Sequence, residues 1–95
     1  MKSFPNDKII YVNTDLLNSQ IDGETVMMSL ELGKYFGLNE VGSKIWELIQ
    51  TPKTLNKVVE QLVEIYEIDY ATCLKETSEF LASLYEQKLI YFDKV

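Results

Sequence analysis

Residues 22–48 read DGETVMMSLELGKYFGLNEVGSKIWEL, and the order of turn, strand and cap signals within them decides the fold. Asp22-Gly23 is a two-residue turn whose central positions need positive φ, and Gly33 offers a second such position between two apolar runs. Working outward, Leu16 to Ile21 read as the first strand of a meander, Glu24 to Leu30 as the second, and the stretch ending at Leu38 as the third. Residues 8–13, KIIYVN, form a short extended segment ahead of it. Parity selects the second turn. A two-residue Leu32-Gly33 loop sets Met28 opposite Gly37 and turns Phe36 and Leu38 to the wrong side. A three-residue loop with Gly33 left-handed instead pairs Met28 with Phe36 and Val26 with Leu38. On that register Leu17, Ser19, Ile21, Val26, Met28, Phe36 and Leu38 share one face, which helices must cover.

Those helices are legible from caps and period. Asn39 is a good N-cap, Glu40 adds an acid to the first turn, and Val41, Ile45, Leu48 and Ile49 recur at helical spacing up to the stop at Pro52, giving a helix over about 40–50. Thr54 caps a second helix with Leu55, Val58, Val59, Leu62, Val63 and Tyr66 in one stripe. Asp69 caps a third, whose wide arc holds Tyr70, Cys73, Leu74, Phe80, Leu81, Leu84 and Tyr85; neighbouring elements alone, or a neighbour plus a visiting peptide, can fill it. Leu89-Ile90-Tyr91-Phe92 reads as a closing strand. The fold class is therefore α+β, a three-stranded antiparallel sheet packed on three helices, with residues 1–95 as a single domain and 1–15 peripheral, available as an added strand.

A chain of 95 residues buries about 60 to 70 per cent of its unfolded surface, enough for a modest core. No apolar run reaches the roughly 18 residues of a membrane span, and Met1 to Asp7 lack the apolar centre of a signal peptide, so no membrane partner and a cytoplasmic location are expected. Fifteen acids against nine bases give a net charge of −6, a field that repels nucleic acid. One cysteine and no histidine exclude an internal disulfide and remove the commonest metal ligand and general base.

The residues that carry chemistry elsewhere have plainer roles here. Cys73 lacks the base or cation that activates a thiol, and reads as a structural side chain. The glutamates alternate with lysines on polar helix faces. Glu60 and Glu64 share a face without a second pair or a histidine to complete a metal site. Gly33, Gly37 and Gly42 miss both phosphate-loop spacings. No cofactor, metal or catalytic residue is expected. Phe36, Leu38 and Trp46 read as core. Tyr35 and Gly37 fall on the opposite face of an edge strand, whose unpaired N–H and C=O groups are either blocked or used to capture another strand.

Asp22, Gly23, Glu24, Thr25, then Gly33, Lys34, Tyr35, Phe36, then Leu38, Asn39, Glu40, Gly42, Ile45, Trp46, Glu47 and Leu48 match a run in which this chain resembles the PqqD-like family of peptide-recognition domains from pathways of ribosomally made, modified peptides. The likeness spans nearly the whole chain and is weakest over residues 1–15; Lys88 stands where the family often has glycine. The resemblance implies a non-catalytic, winged-helix-like domain that binds the leader region of a precursor peptide as a strand added to the third strand, beside the third helix. Carried onto this chain, the peptide edge is Lys34, Tyr35, Phe36, Gly37 and Leu38, and the groove wall is Cys73, Glu76, Thr77, Phe80 and Leu84.

A stand-alone chain of this kind is similar to the recognition protein of lasso-peptide pathways, which serves a separate leader peptidase and cyclase. The alternative within the family is a chaperone for a radical enzyme, as in pyrroloquinoline quinone synthesis. From another class, a winged-helix DNA regulator needs basic residues on its recognition helix, where this third helix sets Lys75 and Lys88 against Glu76, Glu79 and Glu86. A dimer pairing the same edge with its own copy is the remaining rival.

Overall fold

In the computed structural model, which describes residues 7–92, the meander consists of strands β2 (Leu16–Ile21), β3 (Glu24–Ser29) and β4 (Lys34–Leu38), with β1 (Ile9–Val12) ahead of it. Residues 1–6, part of the stretch expected to be peripheral and without a signal-peptide centre, and 93–95 lie outside the described residues. Then follow α1 (Glu40–Leu48), β5 (Lys53–Thr54), α2 (Leu55–Tyr66), α3 (Tyr70–Glu86) and β6 (Ile90–Phe92). The meander is one antiparallel sheet of order β2-β3-β4, so β2 and β4 are its edges. A second small sheet, β5-β1-β6, joins the two ends of the chain, pairing Ile10 with Lys53 on one side and with Phe92 on the other. Its inward residues Ile10 and Ile90 are fully buried.

The first hairpin turns as its sequence dictates, with Asp22 and Gly23 both at positive φ (54° and 82°). The second corrects the expected register by one residue. Its loop runs over four residues, Leu30 to Gly33, so Met27 pairs with Phe36, Met28 with Tyr35 and Thr25 with Leu38. Ser29 is the cause. Its carbonyl accepts the Gly33 N–H at 2.8 Å and its hydroxyl accepts the Leu32 N–H at 3.1 Å, holding a wider loop than three residues allow. A one-residue slip moves every side chain of a strand to the other face. Leu17, Ser19, Ile21, Val26 and Met28 therefore lie on the outer face, with Leu17 57% and Ile21 58% exposed. The core face of β3 is Thr25, Met27 and Ser29, all buried, two of them polar. Phe36 and Leu38 do face the helices, Leu38 buried and Phe36 packed at the core margin.

All three caps form as read. Asn39 Oδ1 accepts the Gly42 N–H at 2.8 Å, Thr54 Oγ1 accepts the Lys57 N–H at 3.3 Å, and Asp69 Oδ2 accepts the Thr72 N–H at 2.9 Å. The backbone hydrogen bond from Thr72, and next its hydroxyl, hold the Asp69 carboxyl below the ordinary aspartate range. On α1, the hydrogen bond to Glu47 raises Lys44 above the usual lysine value. The core gathers Ile45, Trp46 and Ile49 with Leu55, Val58, Val59 and Leu62 of α2, Leu81 and Leu84 of α3, and Met27 from the sheet.

One side chain ties sheet to helix. The buried Ser43 hydroxyl on α1 accepts the Thr25 N–H at 2.8 Å and donates to the Leu38 carbonyl at 3.1 Å, joining β3, the end of β4 and α1. Ser43→Ala is expected to destabilise the fold by about 1 to 3 kcal/mol, because the buried N–H is left without an acceptor. Urea unfolding checks this through a lower midpoint with an unchanged slope.

Candidate functional site: an open strand edge beside a groove

The ladder itself shows which backbone groups are free. A two-residue turn closes on a hydrogen-bonded pair, here Ile21 with Glu24, so the even-numbered residues of β3 bond toward β2 and the odd-numbered ones face β4, the Thr25 N–H reaching Leu38 through the Ser43 hydroxyl. On β4 the partners of Thr25, Met27 and Ser29 are Leu38, Phe36 and Lys34. The N–H and C=O groups of Tyr35 and Gly37 consequently point away from the sheet, leaving an unpaired edge of the kind to which an extended chain can add. On the face of the sheet that carries Tyr35 there is open space at Gly37, where an added Cβ would have no heavy atom of the described residues within 4 Å.

Next to this edge, between the end of β4, the start of α1 and the face of α3, lies a cavity of about 440 Å³. Of the residues expected at a site, it brings together Gly37, Leu38, Cys73, Glu76, Thr77 and Phe80. Lys34, Tyr35 and Phe36 sit further along β4, with Tyr35 72% exposed on the outer face, and do not line it. Leu84 does not line it either; it is buried in the core, one turn past Phe80. The remaining wall was not singled out from sequence: Asn39, Val41, Gly42 and Ile45 from the start of α1, with Leu62, Tyr66 and Ile68 from α2 and its exit.

Gly42 is the most instructive of these. A Cβ there would stand 3.2 Å from Phe80 Cζ and 3.2 Å from Asn39 Oδ1, so its lack of a side chain lets the Phe80 ring lie against the first turn of α1. Glycine inside a helix costs roughly 1 kcal/mol relative to alanine, which marks such a position as one where packing demands it. Cys73 is buried with its sulfur 3.7 Å from the Thr77 hydroxyl. Among the described residues no group of three or more histidine, cysteine, aspartate or glutamate side chains converges. Chemically the arrangement offers main-chain pairing on one side and an apolar recess on the other.

Edge and recess define a class, a small α+β domain with an open strand beside an apolar groove. A family model described as coenzyme PQQ synthesis protein D (PqqD) matches residues 24–90, and the chain belongs to that family. Among solved structures it is similar to TbiB1 in complex with the TbiA(beta) leader peptide, at 32% identity and a TM-score of 0.80, covering 87% of this chain and 99% of that one. The lasso peptide synthetase B1 complexed with its leader peptide has the same fold, with a TM-score of 0.77 at 18% identity over 86% of this chain and 96% of that one. No curated protein matches the chain.

Proposed function

We propose that this protein binds the leader region of a ribosomally made precursor peptide, without altering it, and delivers the peptide to separate maturation enzymes. The observation that carries the reading is the coincidence of the open edge at Tyr35 and Gly37 with the cavity lined by Phe80, Thr77 and Cys73. The leader lies along Lys34 to Leu38 as a fourth strand, and places apolar side chains against α3. Support comes from TbiB1, a relative captured with a leader peptide. We favour a lasso-peptide pathway, with a leader peptidase and cyclase as the enzymes served, over a chaperone role for a radical enzyme; the lasso peptide synthetase B1 shares this fold. Among the described residues no helix is long and apolar enough to cross a membrane, and the cytoplasm, where precursors leave the ribosome, is the proposed place of action.

The test uses synthetic leader peptides of candidate precursors, the TbiA(beta) leader peptide among them. Titration should give saturable binding, and mass spectrometry after prolonged incubation should find the peptide intact. Cleavage or modification by the protein alone overturns the reading.

A further inference from the structure

The groove also holds information about the charge of what it receives. Its lining is apolar or neutral throughout, except for Glu76. This carboxylate is exposed and joins neither of the two ion pairs seen among the described residues, Lys44 with Glu47 and Lys57 with Glu60. Two basic residues, its neighbour on the helix and one on the edge strand, are badly placed to answer it. Lys75 precedes it by one residue, about 100° around the helix, and Lys34 stands three residues before Gly37, about 10 Å along the strand. Glu76 and Phe80, by contrast, are one helical turn apart on the face that lines the cavity.

Resting on the leader-binding reading above, we propose that Glu76 is a specificity residue that selects peptides carrying lysine or arginine on the same side as the apolar side chain received by Phe80. In an extended chain, same-side residues are two apart and about 6.6 Å from one another. One helical turn is about 5.4 Å. The cation therefore falls two positions from the apolar anchor. Because the carboxylate is exposed, the pair changes affinity modestly, by about two- to fivefold, and its main effect is discrimination against acidic residues at that position.

The experiment displays a random library of 12-residue peptides on phage and selects it in parallel on the wild-type protein, on Glu76→Lys and on Gly37→Pro. Circular dichroism first establishes that all three are folded. Wild type should enrich peptides with an apolar residue and, two positions away, lysine or arginine. Glu76→Lys should keep the apolar preference and exchange the cation for aspartate or glutamate. An unchanged charge preference between these two overturns this inference and leaves the groove standing. Peptides retained equally well by Gly37→Pro, or none enriched at all, overturn the groove reading and this inference together.

Discussion

Gly37→Pro is expected to weaken binding of the leader peptide ten- to hundredfold while the circular dichroism spectrum and melting point stay close to wild type. Gly37 directs its N–H away from β3, so proline there removes a donor from the open edge without breaking a bond inside the sheet. One lost main-chain hydrogen bond accounts for about 1 kcal/mol, and the ring adds bulk where the two backbones meet. Tyr35→Pro should act the same way through the other outward N–H. Isothermal titration against the same peptide reads the effect. Wild-type affinity in either folded variant shows that the peptide is bound elsewhere.

The second large effect separates groove from core. Phe80→Ala should cost about 1 to 3 kcal/mol of peptide affinity if the ring is an anchor, with a smaller loss of stability, since Phe80 lies at the margin of the core. Trp46→Ala and Leu84→Ala should behave in the opposite sense. These side chains are 4% and 5% exposed, and truncating them leaves cavities worth roughly 2 to 5 kcal/mol. For a domain of this size each kcal/mol moves the melting point by about 4 to 8 °C. Thermal melts and titrations on the three variants give both numbers. A Phe80→Ala variant that binds normally removes α3 from the site.

Where sequence reading succeeded, the deciding forces were local. The caps at Asn39, Thr54 and Asp69 each need one side-chain oxygen and an N–H three residues on, and the first hairpin needs only two residues that tolerate positive φ. Where it slipped, a distant or unusual partner decided. The sheet faces were assigned by putting apolar residues inward, but β3 spends two inward positions on Thr25 and Ser29. There the Ser29 hydroxyl shapes the loop and the Thr25 backbone N–H reaches Ser43 on α1, and the apolar Val26 and Met28 are displaced outward. The second sheet pairs residues some eighty positions apart, as in Ile10 with Phe92, beyond any local pattern.

The candidate site divides along the same line. Cys73, Glu76, Thr77 and Phe80 were legible because helical period places them on one face of α3. Gly42, Val41 and Ile68 were not, since their part in the wall depends on how closely α1 and the end of α2 approach that face. Leu84 lies on the same arc as Phe80, yet the arc turns under the core before reaching it, and period alone does not show where that happens.

The other edge of the meander bears on handling the protein in solution. Strand β2, LLNSQI, carries neither a charge nor a proline, the usual safeguards of an exposed edge, and its outer side shows Leu17 and Ile21 to water. The net negative charge, fifteen acidic residues against nine basic, opposes such pairing between copies as long-range repulsion rather than as a local block. Acidification toward the isoelectric point or concentrated salt is expected to weaken that repulsion, and precipitation that reverses when charge is restored is the expected sign of folded copies adhering through this edge.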